Sequence, residues 1–179
     1  MTDRSPVETT NLDDRYGSPS LPWSRPHEFL TAPPDPNNPI GDLTWFLGTV
    51  RPDGRPHSAP IGALWHAGDI YIASWPGTQK SRNLAANPVC TVSVKLPGID
   101  LVLEGEATRV TDPAALETLA GRYREGGWPA EVEGDALTAP FSAPSAGPPP
   151  YNLYRFTFQT AYGVATAEPF GATRWRFGD

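Results

Sequence analysis

The chain has 179 residues, which is long enough for one domain with a hydrophobic core. Its formal net charge of −6 argues against a protein that binds nucleic acid nonspecifically, because such binding depends on lysine and arginine side chains that meet phosphates. Many of the 22 prolines lie before residue 40 or between residues 140 and 150, so we predict an extended proline-rich arm (residues 1–40) and a folded domain (residues 41–179) with one long irregular loop.

The arm is polar and acidic over residues 1–14 and lacks the apolar segment of a secretory signal. No other stretch of the chain approaches the roughly 20 consecutive apolar residues that a membrane-spanning helix needs. We therefore expect a cytoplasmic protein with no membrane contact. The aromatic side chains of Tyr16, Trp23 and Phe29 indicate that the arm packs against the folded domain or against a second subunit.

Three strands joined by short turns are predicted next, at residues 43–50, 56–65 and 70–74. The first and the third are rich in β-branched and aromatic residues, and both connecting turns contain glycine. Pro60 and Gly62 predict a bulge or a strained point in the second strand, since proline cannot donate to a sheet. Because short turns join antiparallel neighbours, the three strands are predicted to form an antiparallel meander.

The stretch at residues 70–87 carries the strongest functional signal. Its strand stops at a Pro-Gly turn, and a short helix at residues 80–87 follows, ended by Pro88. Helix N-termini have unpaired N–H groups and a dipole that favours an anion, and nearby cations add charge-assisted hydrogen bonds. The pattern therefore predicts a phosphate-binding site. Hydroxyl and cationic side chains gather where this helix begins: Thr78, Lys80, Ser81 and Arg82.

One further helix and four further strands complete the prediction. The helix is expected to begin at Thr111 or Asp112, with Pro113 in its first turn, and to end at a pair of glycines. The irregular segment at residues 126–150 is long enough to suggest a role at the mouth of a site or at a subunit interface. Six or seven antiparallel strands with two helices favour a small closed barrel, because closure removes exposed strand edges. The four strands are predicted at residues 89–95, 101–110, 151–164 and 171–177.

Other kinds of site find little support in the sequence. The single cysteine, Cys90, lies in an apolar run and is predicted to be a buried hydrophobic residue. The three histidines have no metal-ligand spacing, so no metal site is expected. The motifs of serine hydrolases, dinucleotide-binding domains and P-loop proteins do not occur. Glu104 and Glu106 share one strand face, which we interpret as a solvated or interface surface.

Five stretches occur in an order that is specific in combination: TVRPDGRPHSAP, GDIYIAS, PGTQKSRNLAANP, DLVLEGEATRV and TRWRF. Together they resemble the pyridoxamine 5′-phosphate oxidase-like split-barrel superfamily of flavin and deazaflavin proteins, which includes F420-dependent members. The resemblance implies a mainly β, six- to seven-stranded antiparallel split barrel with two or more short helices and an extended N-terminal arm. It also implies a homodimer with two cofactor sites along the subunit interface.

The resemblance further implies where a cofactor lies. Its phosphate is expected near residues 80–83, and its ring system against the strand at residues 57–60 and the end of the strand at residues 73–74. Two residues of the TRWRF stretch match C-terminal residues that such proteins bring near the site, often from the second subunit. The C-terminal segment that holds the substrate phosphate in pyridoxamine phosphate oxidases is lacking, so that reaction is not expected. The implied cofactor-binding residues are His57, Ser58, Ala59, Pro60, Ala73, Ser74, Thr78, Lys80, Ser81, Arg82, Asn83, Arg174 and Trp175.

We therefore expect an oxidoreductase that binds FMN or F420 and transfers hydride to or from a small organic substrate, bound under the segment at residues 126–150. No catalytic residue is named, because the cofactor itself carries the redox chemistry. The alternative is a protein that binds or sequesters a flavin, a deazaflavin or haem without turnover. A structural dimer with an empty barrel is the third interpretation.

Overall fold

A computed structural model describes residues 4–33 and 43–178 of the chain. Across these residues the fold is mainly β, with eleven strands and three α-helices. The strands are β1 (Pro6–Asn11), β2 (Trp45–Val50), β3 (Pro56–Ile61), β4 (Leu64–His66), β5 (Asp69–Ser74), β6 (Val89–Leu96), β7 (Ile99–Val110), β8 (Glu131–Glu133), β9 (Ala136–Thr138), β10 (Asn152–Ala165) and β11 (Ala172–Phe177). The helices are α1 (Ser24–Leu30), α2 (Gln79–Ala86) and α3 (Pro113–Glu125), with short 3₁₀ helices at Asp14–Tyr16 and Pro144–Ala146.

Nine of the described strands form one antiparallel sheet that curls into a split barrel. The order along the sheet is β1–β11–β10–β7–β6–β2–β3, while β5 pairs with the start of β10 and carries β4 on its other side. The long strand β10 pairs with β7 along most of its length, with β5 at its beginning and with β11 at its end. The mainly β split barrel predicted from the sequence is confirmed.

Alternate side chains of the strands fill the interior of the barrel. In β7 every second residue from Ile99 to Ala107 is buried and the residues between them are exposed, as the two-residue period of a strand requires. Cys90 is buried in this core as predicted, and burial raises the pKa of its thiol to about 12. A second, smaller core lies beneath α3, where Leu116 and Leu119 are buried.

The N-terminal ends of α2 and α3 are both capped by side chains. At α3 the carboxylate of Asp112 accepts a hydrogen bond from the backbone N–H of Ala115 at 2.8 Å, and Pro113 occupies the first turn, as predicted. At α2 the cap is Thr78, whose hydroxyl accepts from the backbone N–H of Ser81. No helix among the described residues is long and apolar enough to cross a membrane.

The two antiparallel turns of the predicted three-stranded meander are confirmed, but its second strand is broken. Residues 56–65 form two strands rather than one, with Gly62 in the break between β3 and β4. β3 pairs with β2, whereas β5 pairs with β4 and with β10, which is far away in the sequence. Pro60 is tolerated because β3 lies at the edge of the sheet, where a missing N–H costs little.

The N-terminal segment contains more regular structure than the sequence predicts. Strand β1 pairs with β11 and so extends the sheet, and α1 follows it. Trp23 packs against the folded body as expected, with its ring centroid 5.4 Å from that of Trp175 and 4.8 Å from that of Phe177. The end of the predicted arm, at residues 34–40, and the domain boundary after it lie outside the described residues.

The segment at residues 126–150 is held firmly against the barrel. It contains the hairpin β8–β9 and the second 3₁₀ helix, which contacts β3 and β5. The indole N–H of Trp128 donates to the carbonyl of Phe141 at 2.6 Å, and the hydroxyl of Tyr151 donates to Ser142 Oγ at 2.9 Å. These bonds make the segment a wall beside the strand-turn-helix at residues 70–87.

Candidate functional site

Three hydroxyl groups meet where β5 ends and α2 begins. Ser74 Oγ lies 2.9 Å from Thr78 Oγ1, and the Thr78 hydroxyl lies 3.0 Å from Ser81 Oγ. Ser74 and Ser81 are buried, so the group is fixed in place by its surroundings. Hydroxyls can rotate to donate, and the first N–H groups of a helix have no partner within the helix. We name this group, Ser74, Thr78 and Ser81, the hydroxyl cluster.

The two cations of the predicted phosphate site have different surroundings. Lys80 is only 4% exposed, and burial lowers the pKa of its ammonium group. Arg82 is exposed, and its guanidinium folds back to donate to the carbonyl of Gly77 at 2.5 Å and to Gln79 Oε1 at 3.0 Å. Since a buried charge interacts with an anion more strongly than an exposed one does, Lys80 is the stronger candidate for holding a phosphate.

The four predicted residues of β3 divide between the two faces of the sheet. His57 and Ala59 are half-buried on the inner face, whereas Ser58 and Pro60 are exposed on the outer face. Burial lowers the pKa of His57 below its ordinary value of 6.5, and the charges of Arg51 and Lys80 lower it further. The positive charge of Lys80 thus opposes protonation of the His57 ring, which is neutral near pH 7.

The end of β5 adjoins the wall formed by residues 126–150. Ala73 is half-buried, and the next residue, Ser74, pairs with Asn152 at the start of β10. After it, the backbone N–H of Trp75 donates to the carbonyl of Ala146 at 2.8 Å. This bond joins the turn before α2 directly to the wall.

The Trp75 side chain also packs against glycines on both segments. A Cβ atom on Gly77 would lie 2.2 Å from carbons of the Trp75 ring, and one on Gly147 would lie 2.8 Å from the Trp75 Cβ. The ring therefore clamps the turn to the wall, although 37% of the side chain stays exposed.

Arg174 and Trp175, the two C-terminal residues among the predicted cofactor-binding residues, lie far from the hydroxyl cluster of the same chain. Arg174 pairs with Tyr162 near the end of β10, whereas Ser74 pairs with Asn152 at its start, roughly 30 Å away along the strand. Trp175 is fully buried in the barrel core, where its indole N–H donates to the carbonyl of Leu21 at 3.1 Å. A single chain does not bring these residues to the other members of the set.

Residues 41–165 match the family model of pyridoxamine 5′-phosphate oxidase. The chain belongs to the pyridoxamine 5′-phosphate oxidase family. No curated protein matches the sequence.

Solved structures of known proteins are similar to this chain. An FMN-binding protein from Nostoc punctiforme, related to pyridoxamine 5′-phosphate oxidase, is 16% identical with a TM-score of 0.55, covering 87% of this chain and 89% of its own. A FAD-binding protein from Mesorhizobium loti is 17% identical with a TM-score of 0.52, and the match covers 87% of this chain and 95% of that protein. An F420 reductase is 25% identical with a TM-score of 0.46, and the match covers 70% of this chain and 93% of that protein.

In this family member a row of residues crosses the outer face of the sheet from β3 to β11. Neighbours in the row are directly paired across the strands, and Phe46 and Val102 are 42% and 38% exposed. Five spacings between strands place the two ends of the row roughly 24 Å apart. We call this the outer row, and it consists of Pro60, Phe46, Ser93, Val102, Tyr162 and Arg174.

Sequence reasoning missed two polar residues beside the site. Gln79 and Thr49 both hydrogen-bond Asn83, at 2.7 Å and 2.9 Å. Gln79 could have been found, since it stands four positions before Asn83 on the same helix face. Thr49 lies on a strand that is distant in the sequence, and nothing local marks it.

Proposed function

We propose that this chain is an oxidoreductase that binds a flavin-type cofactor, FMN or F420, and transfers hydride to or from a small organic substrate. The observation that carries the proposal is the hydroxyl cluster beside the buried Lys80 at the N-terminal end of α2. Hydroxyls, backbone N–H groups and an ammonium group are the donors that a phosphate needs. Membership of the pyridoxamine 5′-phosphate oxidase family supports the same kind of ligand.

The residues of the chain bind and orient the cofactor in this proposal. Lys80 and the hydroxyl cluster hold its phosphate, and β3 with the end of β5 supports its ring system. The wall at residues 126–150 shields the site from water on one side, which strengthens the polar contacts inside it. The bound cofactor would supply the hydride chemistry, so no acid or base of the protein is required.

The proposal includes a homodimer whose subunits meet at their outer rows. The row is uncharged from Pro60 to Tyr162 and carries one cation, Arg174, at its far end. A two-fold axis that runs parallel to the strands between Ser93 and Val102 would exchange the two ends of the row. Arg174 of the partner subunit would then lie opposite Pro60, which explains how residues far apart in one chain could share a site.

A side-by-side titration with FMN and with F420 tests cofactor binding. Tight binding of one of them, seen as a change in its fluorescence, is the expected result. Failure of both to bind would refute the proposal. The electron-transfer part is tested separately by mixing the protein and reduced cofactor with organic electron acceptors. Binding without any turnover would favour a storage or sequestering protein instead.

A further inference from the structure

A series of side-chain hydrogen bonds, buried in its middle, runs from α2 to the hairpin β2–β3. Gln79 Nε2 donates to Asn83 Oδ1 at 2.7 Å, and Asn83 Nδ2 donates to Thr49 Oγ1 at 2.9 Å. Asn83 is 0% exposed and Thr49 is 3% exposed. Burying an amide and a hydroxyl is costly unless both are satisfied, and here each group has a hydrogen-bond partner.

The direction of these bonds leaves the Thr49 hydroxyl able to donate a hydrogen bond. Because Thr49 Oγ1 already accepts a proton from Asn83, its own hydroxyl hydrogen is available for another acceptor. Two acceptors of the described structure lie within reach, His57 Nδ1 at 3.4 Å and the His57 carbonyl at 3.4 Å. The chain of hydrogen bonds thus ends at His57.

The protonation state of the His57 ring fits a hydrogen bond donated by the Thr49 hydroxyl. Burial and the nearby charges of Arg51 and Lys80 lower the pKa of His57, so the ring is neutral near pH 7 and carries a single proton. A neutral ring whose Nδ1 accepts from Thr49 must carry that proton on Nε2. Nε2 lies on the edge of the ring that is turned away from Thr49.

We propose that Thr49 and Asn83 are positioning residues that hold His57 as a hydrogen-bond donor through Nε2. The proposal rests on the proposed cofactor binding, because the acceptor that His57 meets is an oxygen or nitrogen atom of that cofactor. It also gives Asn83 an indirect role instead of direct contact with the cofactor. Its amide is fully buried and acts on the cofactor through Thr49 and His57.

The first test uses nitrogen NMR of the imidazole ring in the cofactor-free protein, at a pH where the ring is neutral. The expected result is a proton on Nε2 and a lone pair on Nδ1 in the native chain. Asn83→Asp reverses the direction of these hydrogen bonds. The new carboxylate accepts the Thr49 proton, which turns the Thr49 lone pairs towards His57. The proton is then expected on Nδ1. A native ring protonated on Nδ1, or an Asn83→Asp ring that keeps its proton on Nε2, would overturn the proposal.

The second test measures cofactor affinity in Thr49 variants. Thr49→Val keeps the shape but removes the hydroxyl, and it is expected to weaken binding about fivefold. Thr49→Ser restores the hydroxyl and should return the affinity to within about twofold of the native value. Thr108→Val, at an exposed threonine of β7, is the matched control and should change nothing. Equal affinities of the Val and Ser variants would contradict the proposal.

The two tests separate this proposal from the proposed function. If neither FMN nor F420 binds the native protein, the function fails while the NMR measurement still decides the state of His57. If a cofactor binds and the ring carries its proton on Nδ1, the function stands and the positioning proposal fails.

Discussion

Lys80 and Arg82 stand two positions apart in the sequence, but the fold gives them different surroundings. Lys80 is buried in the first turn of α2, whereas Arg82 lies on the surface. An ammonium group removed from water gains more from a phosphate partner than an exposed guanidinium that already has two acceptors. The proposed phosphate site is therefore centred on Lys80.

This difference predicts unequal effects of removing the two charges. Lys80→Met, which keeps the apolar stem, is expected to weaken cofactor binding by about 2 kcal/mol through loss of a charge-assisted bond. Arg82→Met is expected to cost less than about 1 kcal/mol. Fluorescence titration of each variant measures the effect, and Lys95→Met, at an exposed lysine of β6, serves as control. A larger loss of cofactor affinity in Arg82→Met than in Lys80→Met would show that the phosphate binds at the surface instead.

His57 predicts a dependence of stability on acid pH. Its pKa is lowered in the folded protein, chiefly by burial, so the unfolded chain binds the proton more readily. The free energy of unfolding should therefore rise with pH up to the ordinary value of 6.5 and lose this dependence above it. Denaturant unfolding at several pH values should show a smaller rise for His57→Asn than for the native chain. Identical profiles would show that His57 is not desolvated.

At the scale of elements, a strand, a turn and a helix share one clamp with the neighbouring wall. Trp75 packs on Gly77 in the turn and on Gly147 in the wall, and its backbone N–H bonds Ala146. Because the residues of the hydroxyl cluster flank this turn, their positions depend on the clamp. Trp75 therefore has a structural task even though part of its ring remains exposed.

The clamp predicts that Gly77→Ala destabilises the protein by about 1–3 kcal/mol, since the new methyl group would overlap the Trp75 ring. Thermal or denaturant unfolding gives the value. Gly62→Ala, at a glycine with open space around its Cβ position, is the matched control. In the Trp75→Ala background the cost of Gly77→Ala should largely disappear. A cost that persists there would place the strain elsewhere.

At the scale of the whole molecule, the outer row is the surface on which the proposed dimer depends. Exposed apolar side chains such as Phe46 and Val102 lie in its middle, and directly paired strands fix their positions. The cation at its end, Arg174, is bonded to Glu8 and Thr10 of β1 within one chain. The N-terminal strand thus orients the residue that the second subunit would receive.

A charge in the middle of the outer row should separate the subunits. Val102→Lys is expected to give a monomer in sedimentation or light-scattering measurements, because a like-charged pair would be buried near the two-fold axis. It should also weaken cofactor binding if the site is shared. Val7→Lys, at an exposed residue of β1, is the control and should leave the mass unchanged. A native protein that is monomeric with cofactor present would remove the shared-site proposal.

The sequence by itself determined most structural features that depend on residues close together in the chain. Three features follow from local backbone preferences and side-chain chemistry: the two-residue period of β7, the Asp112 cap of α3, and the strand-turn-helix at residues 70–87 that carries Lys80 and Ser81. The fold class could be recognised for the same reason, since these local patterns occur in a specific order.

Only the tertiary structure decided which distant segments meet. The pairing of β5 with β10, the contact of Thr49 with Asn83 and the clamp of Trp75 against Gly147 join residues whose separation in the sequence leaves no local trace. It also decided that Trp175 fills the core while Arg174 faces outward, because adjacent residues of a strand point to opposite faces. Burial is set by the whole fold, and burial is what distinguishes Lys80 from Arg82.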